Sequence, residues 1–356
     1  MKASPLSVSA LVFLTLANGL SLRAEDVTTS EIHGFVQFTA PAYTDTPVSP
    51  AFGRPAVWVG AVSTVESNRF GVSTATGWTD SQFVMGGSQT NTYYVRLLSG
   101  DNRGHYFSIA GNDSTSLLLD NAGMDLTASV HAGDRFEIAP YWTLGTFYPA
   151  SQVNVSFIPS PSPLARQTEL SFYDPAGVGA PRSTTQSFYY YNSAWRKLGQ
   201  PETVSYDNVV LLPDAYFLHR NKGTATSLVE NGRVFSGAVA SFVTGQPSGS
   251  QDNFAAIAYP LSVTLRQTHL VESGAFSASP TDTAISDKLL VFKPDQIGYN
   301  HIVGATYYYY NGGWRKQGDS SDVDYSDTAT VPSAHGFVIR KAIASTTQPW
   351  IFETGL

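Results

Sequence analysis

The sequence predicts an all-β, multi-domain protein of sandwich- or barrel-like sheets, and three observations carry that expectation. Short runs alternate apolar and polar residues with a period of two. Clusters of Gly, Asn, Asp, Ser and Pro separate these runs at close intervals. One aromatic hairpin pattern occurs twice. Composition agrees: charged residues are only 14% of 356, while Gly (30), Tyr (19) and Phe (20) are plentiful. Such a mix suits pleated sheets with tight turns and argues against coiled coils or long charged helices.

In chain order, an export signal is expected first. Lys2 supplies a short positive region, residues 10–16 an apolar run, and Leu22-Arg23-Ala24 a small residue before a cut that leaves Glu25 as the new start. The run is too short for a permanent membrane helix, and no helical span is expected later. The chain has no Cys, so an N-terminal lipid anchor, a disulfide framework and thiol catalysis are excluded. Removal of residues 1–24 leaves 19 basic against 28 acidic side chains, a net charge of −9. Nucleic acid and anionic membranes repel such a chain. The expected location is therefore the periplasm, the cell surface or the exterior.

The strand runs follow. Phe107 and Ile109 flank Ser108; Phe136 and Ile138 alternate with Arg135 and Glu137; Val153, Val155 and Phe157 repeat the period, as do Leu261, Val263 and Leu265. Turn clusters stand at 99–104, 110–113, 131–134 and 245–249. Pro159, Pro161 and Pro163 mark an edge or linker, because proline cannot donate to a sheet ladder. These breaks divide the chain into an N-terminal β domain over 25–150 and two β units over 151–240 and 241–356.

The two units are expected to be related. Residues 188–199 read FYYYNSAWRKLG and residues 307–318 read YYYYNGGWRKQG, identical at eight of twelve positions at an offset of 119. Further anchors match Leu170 and Phe172 with Leu290 and Phe292, Pro175 with Pro294, Pro213 with Pro332, and Phe217 and Arg220 with Phe337 and Arg340. Asn311-Gly312 is a favoured pair for a primed hairpin turn, where both central residues need positive φ; Asn192-Ser193 is a weaker version. A strand with tyrosine on both faces cannot bury every hydroxyl dry. The candidate ligand-binding set is therefore Tyr189, Tyr191, Trp195, Arg196, Tyr308, Tyr310, Trp314 and Arg315, with a structural reading in which both Trp residues pin the core and both Arg residues lie across them.

The segments TYYVRLLSG (92–100), GDRFEIAPYWTLGTFYP (133–149), SPLARQTEL (162–170) and the two hairpins together resemble an uncharacterised family of exported bacterial proteins of the Verrucomicrobia type. The resemblance spans nearly all of the chain after residue 24. It implies export and a β-rich fold, and no catalytic residue.

The chain carries no G-x-S-x-G elbow, P-loop or dinucleotide fingerprint. Its seven histidines are scattered singly, which argues against a zinc site from neighbouring ligands. His219 stands where the other copy has Ile339, which favours packing over ligation. Asp319, Asp322, Asp324 and Asp327 read as a solvated loop and lack the spacing of an EF-hand. No catalytic residue, metal or cofactor is assigned. The expected function is that of an exported, non-catalytic structural or adhesive module, with carbohydrate as candidate ligand and polysaccharide or another surface protein as candidate partner. The alternatives are an enzyme on extracellular polysaccharide, which would need two carboxylates in an aromatic cleft, and an outer-membrane β-barrel.

Overall fold

The computed structural model describes residues 31–72, 76–86, 89–293, 296–343 and 346–354. The export segment with its cut before Glu25, and Pro294, lie outside the described residues. Among the described residues the chain is all-β, with 25 strands and a single four-residue α-helix.

The chain opens with β1 (His33–Ala40) and β2 (Thr44–Val48). Then come β3 (Trp58–Ala61), β4 (Thr64–Glu66), β5 (Arg69–Gly71), β6 (Tyr93–Leu97), β7 (Tyr106–Asn112), β8 (Ser116–Asp120) and β9 (Arg135–Pro140). Next are β10 (Trp142–Thr143), α1 (Leu144–Phe147), β11 (Thr168–Phe172), β12 (Gln186–Tyr191), β13 (Ala194–Lys197), β14 (Val210–Leu211), β15 (Phe217–Asn221) and β16 (Thr226–Arg233). The last set is β17 (Ala238–Val243), β18 (Gln251–Ala256), β19 (Val263–Thr264), β20 (Lys288–Phe292), β21 (Val303–Tyr310), β22 (Gly313–Lys316), β23 (Thr330–Val331), β24 (Gly336–Lys341) and β25 (Gln348–Glu353).

Three large sheets result. One has seven strands in the order β3-β9-β6-β7-β8-β5-β4; the others have five each, in the orders β13-β12-β11-β15-β2 and β18-β24-β20-β21-β22. Read from the hairpin outward, the five-stranded sheets share one plan. Each is accompanied by two two-stranded ribbons: β1-β16 and β10-β14 beside the first, β17-β25 and β19-β23 beside the second. We call these assemblies the first and second units. Each sheet assembly has its own core, around Phe70 and Phe136 in the seven-stranded sheet, Trp195 and Phe217 in the first unit, and Trp314 and Phe337 in the second.

The strand pairing draws the domain boundaries differently from the sequence expectation. Residues 33–48 do not belong to an N-terminal domain running to 150: β2 pairs with β15, and β1 with β16. The residues after β9 also join the first unit, with Leu144, Phe147, Tyr148, Val155 and Phe157 in its core. The seven-stranded sheet is thus set between β2 and β10. Pro159 to Pro163 lie within the first unit, where Ser160 donates its N–H to Tyr190 O at 2.8 Å. Pro47 sits in β2, an edge strand that tolerates a missing N–H. The matched anchors need one correction as well. Glu169 pairs with Arg220, and Lys288 with Arg340, so Leu170 corresponds to Leu289 rather than Leu290.

Candidate functional site

Both predicted hairpins form. Tyr189 faces Arg196 and Tyr190 faces Trp195 across one; Tyr308 faces Arg315 and Tyr309 faces Trp314 across the other. The turn residues Asn192, Ser193, Asn311 and Gly312 have φ of 49°, 59°, 48° and 75°, the positive values a primed turn requires.

This register splits the expected ligand-binding set between two faces of each sheet. Trp195 and Trp314 point into the cores, 0% and 3% exposed. Trp195 packs against Tyr148, Phe157 and Tyr190, and its indole donates to Tyr148 O at 3.1 Å. Trp314 packs against Phe276 and Tyr309. Tyr189, Tyr191 and Arg196 lie on the opposite face of their hairpin, as do Tyr308, Tyr310 and Arg315 on theirs. Tyr189 and Tyr308 are buried there, while Tyr191 and Tyr310 are half-buried. Arg166 lies over the Tyr189 ring, and Arg196 donates to Tyr191 O and Asn192 O. Trp195 therefore cannot share a platform with Tyr189, nor Trp314 with Tyr308. The reason is the two-residue period of a strand, which sends neighbours to opposite faces.

That second face carries a row of side chains in each unit: Arg196, Tyr189, Glu169, Arg220 and Asp45 in the first, Arg315, Tyr308, Lys288, Arg340 and Asp252 in the second. Each row ends in a bidentate ion pair, Arg220 to Asp45 at 2.7 and 2.8 Å and Arg340 to Asp252 at 2.7 and 2.9 Å. The two edge strands that carry these aspartates are capped reciprocally. Asp45 donates its N–H to Gly298 O in the β20–β21 loop at 3.0 Å, and Asp252 donates to Gly179 O in the β11–β12 loop at 3.1 Å. In return Gly298 N–H reaches Thr44 Oγ1, and Gly179 N–H reaches Gln251 Oε1. Gly298 and Gly179 have φ of 112° and 99°, open to glycine and strained for other residues. Each unit thus covers the exposed sheet edge of the other.

The seven-stranded sheet is joined to this pair through buried charge. Glu137 accepts from Arg96 at 2.9 Å and from Arg233 at 2.7 and 2.8 Å, and Arg96 also donates to Ser236 O and Ala238 O, between the two units. Both guanidiniums lie over the Phe235 ring. Burial alone would raise the Glu137 carboxyl, but Arg96 and Arg233 bring it below the ordinary carboxylate value.

Where the three bodies meet, a cleft of about 520 Å³ opens. Its walls come from the seven-stranded sheet (His105, Tyr106), from the first unit (Tyr173, Asp174, Arg182, Gln186, Leu212, Asp214, Tyr216) and from the second (Ser241, Phe242, Asn253, Phe254). Tyr173, Tyr216 and Phe254 form a ring cluster, with Tyr173 and Phe254 stacked at 3.5 Å between centroids. Arg182 lies over Phe254 and donates to Asp252 O. Phe242 stands apart, 50% exposed, with His105 beside it at 5.4 Å.

The Tyr106 hydroxyl donates to Asp214 Oδ1 at 2.6 Å and ties the seven-stranded sheet to the first unit. Burial, then Asp214, pushes the Tyr106 hydroxyl well above its ordinary value, and burial pushes Tyr173 up to about 12. Burial lowers His105, so its ring is neutral at pH 7. The cleft therefore presents protonated phenols, a neutral imidazole, two carboxylates, a guanidinium and two amides.

The acidic loop of the second unit is partnered by its own chain. Asp327 pairs with Arg266, Asp319 accepts from Lys316 and Tyr325, and Asp324 accepts from Ser326. Among the described residues no cluster of three or more His, Asp or Glu side chains is placed to hold a metal ion. His219 is fully buried beside Tyr148, and burial takes its ring down to about 4.

Sequence reasoning missed the cleft. A signal for it existed at the positions where the units diverge: Asp214 and Tyr216 precede Phe217, where Ala334 and Gly336 precede Phe337. A Cβ on Gly336 would land 1.5 Å from Tyr216 Cδ2, so the second unit is hollowed at the point where the first projects a ring. Among known proteins, no family model, no curated protein and no solved structure matches the chain.

Proposed function

We propose that the protein is an exported, non-catalytic binding module made of two copies of one β unit, with a third β domain set into the first copy and a single ligand seat at their common junction. The observation that carries this reading is the three-walled cleft: it is the size of a typical small-ligand pocket, mostly apolar, and holds a few converging polar groups. The matching strand orders and the reciprocal edge capping support the copied units. Export rests on residues 1–24 and on the acidic balance of the chain after them.

Two experiments test it. N-terminal sequencing of exported material should begin at Glu25; material retained inside the cell and beginning at Met1 would remove the export argument. A thermal-shift screen of the full chain against saccharides, peptides and amines should find ligands that raise the Tm of the wild type and not of a Phe242→Asp variant. A screen without such ligands would contradict the binding reading. A second reading, hydrolysis of polysaccharide, is supported by Asp174 and Asp214 lining the same cleft. Release of reducing ends that is lost in Asp174→Asn and Asp214→Asn would replace binding with catalysis.

A further inference from the structure

We infer that the cleft takes a neutral saccharide chain, stacked on Phe242 and held through its hydroxyls by Asp174, Gln186 and Asp214; this rests on the binding reading above and names its ligand class.

A purely apolar ligand would bury the second oxygen of Asp174 and of Asp214 without a hydrogen bond, at a desolvation cost that opposes binding. An anion would meet both carboxylates, and one guanidinium, already committed to Asp252 O, cannot offset two negative charges. A small cation would be drawn to the carboxylates but leaves most of a 520 Å³ apolar cleft unfilled. A sugar ring answers every wall. Its axial C–H face is apolar and flat enough to lie on an aromatic ring. Its rim carries adjacent hydroxyls that both donate and accept, the pattern a carboxylate or an amide can bridge with two atoms.

The side chains are free in the right places. Phe242 has the open ring, half-exposed at the mouth, whereas Tyr173, Tyr216 and Phe254 use their faces on one another. Asp214 is oriented by Tyr106, which occupies Oδ1. Asp174 accepts the Ala176 N–H through Oδ1. The second oxygen of each carboxylate has no hydrogen-bond partner among the described residues and is left to accept from a ligand in the cleft they line. Gln186 is exposed at the rim. The ligand class also accounts for the third wall: without His105 and Tyr106 from the seven-stranded sheet, Phe242 and Asp214 would lose the groups that fix them.

The test is affinity electrophoresis of the full chain in gels containing neutral polysaccharides (glucan, mannan, xylan) or acidic ones (alginate, pectate), with Phe242→Ala and Gln186→Ala as variants. Both residues are at least half-exposed or at the rim, so the variants should keep the wild-type Tm. The expected result is retardation by at least one neutral polysaccharide, with affinity about tenfold weaker in each variant, and none by the acidic ones. Retardation that is unchanged in the variants, or confined to acidic polysaccharides, would overturn the inference. If no polysaccharide retards the wild type while the thermal-shift screen finds a Phe242-dependent peptide or amine, the saccharide assignment falls and the binding module stands. If neither assay finds a ligand, both fall.

Discussion

The two units solve one buried problem with different chemistry. In the first, Thr168 Oγ1 accepts the Ile158 N–H at 2.9 Å, and Asn221 donates to Ala40 O at 3.2 Å and Thr224 O at 2.7 Å. At the corresponding places of the second, Asp287 accepts the Ser277 and Ala342 N–H groups, each at 2.7 Å, and Lys341 donates to Asp287 and to Ala275 O. All four side chains are almost fully buried. The comparison teaches that the fold requires loop backbone to be hydrogen-bonded at the end of the β15 or β24 strand, and that neutral or ionic side chains both suffice. The ionic solution adds a desolvation cost and a dependence on both partners being present.

The largest expected effect breaks the ionic version. Lys341→Met leaves Asp287 buried and unpaired and should lower stability by about 3–5 kcal/mol in chemical denaturation. Asn221→Ala, which removes a neutral donor from the same place, should cost about 1–3 kcal/mol. Copying the first unit into the second with Asp287→Thr and Lys341→Asn together should recover most of the Lys341→Met loss. A double variant as unstable as the single one would show that the two places are not equivalent.

The hairpins sharpen the comparison. Trp195→Ala and Trp314→Ala should each cost about 3–5 kcal/mol, since both rings are buried. The first should cost more, because Trp195 also donates to Tyr148 O. Ligand retention by whatever fraction remains folded should be unchanged in both. Weakened retention without a loss of stability would return the hairpins to the binding site.

A pH-dependent effect is set by Glu230 in β16. Its Oε1 accepts from Ala51 and Phe52 N–H, while Oε2 is buried without a partner, and burial raises the carboxyl to about 8. The folded value lies above the unfolded one, so the stabilisation is full below the unfolded carboxylate range near pH 4.5 and is lost as pH rises through about 8. The Tm should fall over that window, and Glu230→Gln should flatten the fall. The smallest effect belongs to Arg266 and Asp327, an exposed pair. Arg266→Ala should change stability by less than about 1 kcal/mol.

How much of this was legible in the sequence follows from what is local. The hairpins were, because Asn-Gly and Asn-Ser turns act over four residues and the two-residue period then fixes both faces. Whether Trp195 lies in the core or on a binding face was not legible: spacing tells which residues share a face, and only the sheet's partners tell which face is inside. The boundaries were hidden because β2 closes its sheet with β15 across more than 160 residues of chain. The cleft was hidden for the same reason. Tyr106, Asp214 and Phe242 come from three separate stretches, each polar or apolar for ordinary local reasons, and become a site only where the reciprocal loops and the Arg96–Glu137–Arg233 cluster bring them together.

That joining is the central claim, and the amides of Asp45 and Asp252 test it most directly. Each is donated to the opposite unit from the outer edge of its sheet. Residue-resolved hydrogen exchange should find both amides protected to a similar degree, comparable with the core strands β11 and β20. Rapid exchange at either amide while those strands stay protected would mean that the units do not hold each other, and that the cleft between them is not a fixed site.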